Sequence, residues 1–167
     1  MTTPDTEEVD FPVQVREIPG QRFLCSRYAG ERRGLSQEVD ALTRHAVVEG
    51  VGPCGPVLVD YSVFTPGDPE EVEVRILVPV RGSTGASEYT LLQEPPMRAA
   101  CIHYGGLIDP EFDRAHQDLF AWMDANGFPR TGTQHRHVYL AGNAGSENWS
   151  IEVRVSLLGG LTGRPAL

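Results

Sequence analysis

The chain has 167 residues, 40% of them hydrophobic and 22% charged, which is the size and make-up of one compact globular domain with a sizeable core. Its 14 Lys and Arg face 23 Asp and Glu, and a net charge of −9 excludes the clustered basic surface on which phosphate binding relies, so nucleic acid is not an expected partner. No apolar run approaches the roughly 20 residues of a bilayer span, and the acidic start MTTPDTEEVD is unlike a signal peptide, which together predict a cytoplasmic protein with no membrane partner.

Residues 1–10 hold too few apolar groups to pack and are expected to form a mobile tail. A strand is predicted over about Arg22–Tyr28, leading through Gly30 to a helix at Leu35–Glu49. Leu35, Val39, Leu42 and Ala46 recur there at i, i+4, i+7 and i+11 as one apolar stripe. Two strands follow, near Val57–Phe64 and Val72–Val80. In the second, Val72, Val74, Ile76, Val78 and Val80 share one face, while Glu73, Arg75 and Leu77 share the other. Residues 81–88, RGSTGASE, read as a linker.

The second half predicts a strand near Met97–Tyr104 and a helix at Pro110–Asn126 with the stripe Phe112, His116, Leu119 and Met123. Strands near Val138–Gly142 and Ile151–Leu157 come next, and a tail begins at Gly159. Asp109 before Pro110 is the expected N-cap, and Gly127 with Pro129 is the stop. Cys25, Cys54 and Cys101 are odd in number and form no CxxC, so neither a disulfide framework nor a zinc ribbon is expected.

The two halves repeat one another. REIPGQRFLCSRYAG at Arg16–Gly30 returns as LQEPPMRAACIHYGG at Leu92–Gly106, offset by 76, with Pro19/Pro95, Arg22/Arg98, Cys25/Cys101, Tyr28/Tyr104 and Gly30/Gly106 identical. Leu42/Leu119 and Gly50/Gly127 follow at offset 77, Tyr61/Tyr139 at 78, and VEVR/IEVR, from Val72 and Ile151, at 79. Single-residue creep of this kind is what loop insertions produce, and the period is too long for a solenoid. The prediction is one α+β domain over residues 11–158 made of two βαββ modules, 11–80 and 89–158. They would share an antiparallel or mixed sheet, with two helices on one face and a ligand cleft on the other. The halves differ where His103 replaces Arg27, Ile102 replaces Ser26, and Trp149 precedes Glu152 while Pro69-Glu70 precedes Glu73, and specificity is expected at such departures.

With these elements placed, the chain resembles the GyrI-like small-molecule-binding superfamily, the fold used as effector-binding domain by multidrug-responsive transcription regulators. The resemblance covers about residues 13–158. It rests on GVGPCGPVLVDYS at Gly50–Ser62, the strand VEVRILVPV, the exit His103-Tyr104-Gly105-Gly106, the helix pattern FDRAHQDLFAWMDANGF and the closing WSIEVRVSL. The regulators' amino-terminal DNA-binding domain is not among these segments, so the resemblance implies a stand-alone member. It also implies an acidic residue at the floor of the cleft, at Glu152.

Glu152 lies mid-strand among apolar alternates, on the face the helices leave open, and a partly desolvated carboxylate there favours a cationic or hydrogen-bond-donating ligand. Its bland alternative is pairing with a neighbouring Arg. Tyr61 and Tyr139, at equivalent strand positions, are candidate cage residues, and Trp149 joins them only if the chain bends where its strand begins. His103, Tyr104 and Phe64 are further candidates, whereas Trp122 reads as core. His135 and His137 form an HxH that could begin a metal site, but no third ligand is evident nearby, so two solvent-facing histidines, no metal and no cofactor are expected. GxGxxG, Walker, GxSxG and HExxH motifs are absent.

The leading expectation is a monomer or homodimer that captures a small apolar, aromatic or cationic molecule, for sensing or for protection from a xenobiotic. The resemblance also implies a second possibility, a hydrolase opening the strained ring of an alkylating natural product. Glu152 would then position the water, and Tyr61 or Tyr104 would hydrogen-bond the developing oxyanion. An interaction module for a protein such as a topoisomerase is the third.

Overall fold

The computed structural model describes residues 12–63, 70–82, 89–106, 110–129, 134–141 and 149–157. Both expected tails, Phe64, Asp109 and most of the expected linker lie outside the described residues.

Eight strands and two helices follow one another as β1 (Gln14–Ile18), β2 (Gln21–Glu31), α1 (Leu35–Val48), β3 (Leu58–Tyr61), β4 (Glu71–Pro79), β5 (Thr90–Glu94), β6 (Met97–Gly106), α2 (Pro110–Ala125), β7 (His135–Ala141) and β8 (Trp149–Ser156). Each half is therefore ββαββ, not the βαββ predicted from sequence. The missed strands are β1 and β5, short edge segments. QVREI of β1 is exposed at four of its five residues, so no apolar alternation marks it in the sequence.

One sheet holds all eight strands in the order β1-β6-β8-β7-β3-β4-β2-β5, and every pair is antiparallel. The sheet curls into a half-barrel. Exchanging each strand for its counterpart four places along reverses this order and leaves it unchanged. At the centre, β3 meets β7 with Val59 opposite His137, positions 78 apart, the same offset that relates Tyr61 to Tyr139. Each half also lends a strand to the other: β1 pairs with β6, and β5 with β2.

Both helices stop in the same way. Gly50 and Gly127 adopt φ of 68° and 73°, the left-handed region that a Cβ disfavours. Val51 N–H then donates to Ala46 O at 3.1 Å, and Phe128 N–H to Met123 O at 3.0 Å, closing the last turn of each helix.

The stripes predicted for α1 and α2 pack into one cluster on a single face of the sheet, with Leu24, Val59, Val74, Ile76, Val78, Ile102, Ile151 and Val153 beneath them. Leu42 is fully buried there. Leu42→Ala is expected to cost about 2–5 kcal/mol by loss of burial plus a residual cavity, read as a lower urea midpoint at unchanged m. Among the described residues, no helix is long and apolar enough to cross a membrane.

Candidate functional site

Strand alternation sends the complementary residues to the open face. Phe23, Cys25, Leu58, Leu77 and Val138 form a second apolar cluster there, and charged side chains surround it. Cys25 and Cys101, both buried and free, occupy matching positions in β2 and β6. Burial pushes their thiols up to about 11 and about 12, so neither is a thiolate at neutral pH.

Arg136 is the hub of this face. Its Nη1 and Nη2 donate to Glu94 Oε1 and Oε2 at 2.7 and 2.8 Å, and its Nε and Nη2 donate to Asp60 Oδ1 and Oδ2 at 2.5 and 3.1 Å. Arg75 Nη2 adds a third donor to Asp60 Oδ2 at 2.7 Å. Burial alone would lower the Arg136 pKa, but its hydrogen bonds to the Glu94 and Asp60 carboxylates raise it, so the guanidinium stays charged. It also lies 5.6 Å from the centre of the Phe23 ring.

Beside this network opens a cavity of about 640 Å³. Both halves line it: Arg27, Asp60 and Glu73 come from the first, and Met97, Arg136 and Arg154 from the second. Among the described residues neither Arg27 nor Glu73 makes an ion pair, so each is available to meet a ligand charge.

Glu152 does stand on the open face, 7% exposed, but it is not a lone carboxylate. Arg154 Nε donates to it at 2.5 Å, and Arg16 of β1 pairs with its other oxygen. Arg16 reaches it only because β1 crosses over to β6, a pairing the sequence reading did not contain. His103 is register partner to Glu152, exposed, with Nε2 2.7 Å from Ser150 Oγ.

The tyrosines lie elsewhere. Tyr61, Tyr104 and Tyr139 point to the helix-covered face, and only Tyr61 also reaches the lining of the cavity. Tyr104 packs on Phe112 at 5.1 Å, and Tyr61 and Tyr139 hydrogen-bond to each other, with burial raising both phenol pKa values. Trp122 is partly buried and stacks on Phe128 at 5.6 Å, in keeping with a packing role.

His135 and His137 correct the sequence reading: both are buried, not solvent-facing. A third histidine, His116 of α2, meets them, with its Nε2 2.8 Å from His137 Nε2. Tyr61 stacks on His135 at 5.1 Å and 5°, and Phe112 and Phe120 close the group. The signal was in the sequence: His116 takes an apolar-stripe position in its helix, 19 residues before the HxH.

Against solved structures, the chain is similar to the C-terminal domain of EcmrR, with a TM-score of 0.72 at 15% identity over 87% of this chain and 96% of that one. The fold is the GyrI-like one. It is also similar to SAV2435, solved bound to tetraphenylphosphonium, with a TM-score of 0.54 at 10% identity over 91% and 98% of the two chains. A hydrolase encoded by lin2189 from Listeria innocua aligns with a TM-score of 0.60 at 13% identity over 84% and 90%. No protein-family model and no curated protein sequence matches the chain.

Within this fold the residues expected to act together are divided. Glu152 faces the open side of the sheet, while Tyr61 and Tyr104 pack on the helix side, with Tyr61 also reaching the cavity. The side chain of Trp149 lies outside the described residues, as does Phe64.

Proposed function

We propose that this chain binds a small apolar or aromatic molecule in the cavity on the open face of its sheet, as a sensing or sequestering protein. The observation that carries this is the cavity itself: about 640 Å³, built from both halves, within the range of drug-sized ligand sites. Ile18, Met97 and Ala99 offer apolar surface for the body of the ligand. Glu73 would meet a cation at the rim and Arg27 an anion, because the other cavity acids, Asp60 and Glu94, are committed to Arg136. SAV2435, which shares the fold, was solved with a bulky aromatic cation, and that lends support to the cationic arm.

The test is equilibrium titration with tetraphenylphosphonium, a neutral polycyclic aromatic and an aromatic sulfonate of similar size. Saturable binding of at least one is expected. Ser156→Trp, which places an indole in the cavity, should weaken that binding at least about tenfold, the effect of losing roughly 1.4 kcal/mol. If none of the three binds, or if Ser156→Trp folds and binds normally, the reading fails.

A further inference from the structure

Three imidazoles meet beneath α2 at places where the first half carries valine. His116, His135 and His137 correspond, at the offsets of 77 and 78 already noted, to Val39, Val57 and Val59. The scaffold thus does not require polar groups here, since valine fills all three counterpart positions. Polar atoms buried in such a place are costly unless something satisfies them.

The protons do not suffice where His116 meets His137. His116 Nδ1 lies 2.8 Å from the carbonyl oxygen of Phe112, which can only accept, so Nδ1 carries the proton and Nε2 is a bare lone pair. That lone pair faces His137 Nε2 at 2.8 Å. A neutral His137 has one proton. Placed on Nε2, it serves His116 but leaves Nδ1 empty, and Nδ1 has no partner among the described residues although the residue is only 5% exposed. Placed on Nδ1, it leaves two lone pairs facing each other. The first arrangement leaves a buried lone pair on His137 without a donor, and the second sets two lone pairs against each other, a repulsion that a shared cation would relieve.

His135 completes the set, and the candidate ligand atoms of the three residues all lie within 4.8 Å of one another. We propose that His116, His135 and His137 bind a divalent zinc ion through their imidazole nitrogens. Three histidines with a fourth position left for water or another ligand is a coordination pattern that zinc accepts. Bonds of about 2.1 Å set the nitrogens about 3.4 Å apart, so small side-chain rotations carry the present cluster onto the ion. The Phe112 carbonyl then plays the part of the outer-shell acceptor that fixes a ligand's tautomer and aim. His135 and Tyr61 also border the cavity, which puts the ion close to the space where the organic ligand is proposed to sit. The zinc site does not depend on that ligand, and either can fail alone.

The experiment takes the full chain stripped with EDTA, titrates it with ZnCl2 by calorimetry, and repeats the titration with CoCl2 by visible absorption. One ion per chain is expected, with tetrahedral cobalt bands that zinc displaces and a melting temperature that climbs with zinc concentration. His116→Gln and His137→Gln should each weaken binding at least about tenfold, whereas His45→Gln, outside the cluster, should not. Should the cluster variants fail to fold, imidazole NMR of the wild type decides: zinc must move the resonances of the three clustered histidines among the five in the chain. No saturable binding, undiminished binding in folded His116→Gln and His137→Gln, or shifts confined to His45 and His103 would each overturn the site.

Discussion

Arg136→Ala is expected to remove about 3–5 kcal/mol of folding stability, a large share of the roughly 5–15 kcal/mol that a folded domain commonly has. The reason lies in what remains rather than in what leaves. The Arg136 side chain is 13% exposed, and its partners Asp60 and Glu94 are 20% and 15% exposed. Without the guanidinium, two carboxylates stay in one poorly solvated patch, and only Arg75 is left to answer them. The surface pair Arg98–Glu17 provides the comparison. Its side chains are 45% and 68% exposed, and Arg98→Ala should cost less than about 1 kcal/mol. Urea unfolding of the two variants measures the contrast. Equal, small losses would show that the Asp60–Arg136–Glu94 network is solvated in solution and organises nothing.

The second large effect is a loss of stability in mild acid, before the carboxylates titrate. Burial lowers the His116 pKa to about 4 and holds His137 well below the ordinary 6.5, with the charges of His135, His116 and Arg32 lowering His137 further. Folding therefore requires neutral imidazoles, whereas the unfolded chain takes up protons once the pH falls below about 6.5. Because the unfolded state binds more protons, stability rises with pH across this window and falls as pH falls. The contribution of His116 is intact above pH 6.5 and is lost on the way down to about pH 4, a total of about 3 kcal/mol. From pH 6.5 to 5 the slope should approach about 1.4 kcal/mol per unit for each such histidine. Chemical denaturation in EDTA over that range checks it, with His116→Gln expected to flatten the curve. A wild-type curve already flat there would mean that the cluster is hydrated or charged in the native state.

Much of the scaffold was legible in the sequence because its signals are local. Helix stripes of period 3.6 placed Leu35, Leu42, Phe112 and Leu119 under the helices, alternation in VEVRILVPV and IEVRVS assigned both faces of β4 and β8, and glycines marked both helix stops. The 76 to 79 offsets anticipated a sheet whose order is unchanged when the halves are exchanged. The strand β1 escaped because an edge strand facing solvent carries no hydrophobic period, and β5 because five residues, TLLQE, are too few to show one.

What the amino-acid sequence determined by itself, then, was which residues share a face of each element. Which faces meet was decided only by the tertiary structure, since pairing between elements far apart in the chain leaves no periodic trace. Exchange of β1 across the halves brings Arg16 to Glu152 and turns an apparently lone carboxylate into a paired one. The packing of α2 against the sheet brings His116 to His137 across 21 residues and turns an incomplete HxH into a closed cluster of three. In both places the chemistry depends on a partner from another element, and only the folded chain supplies it.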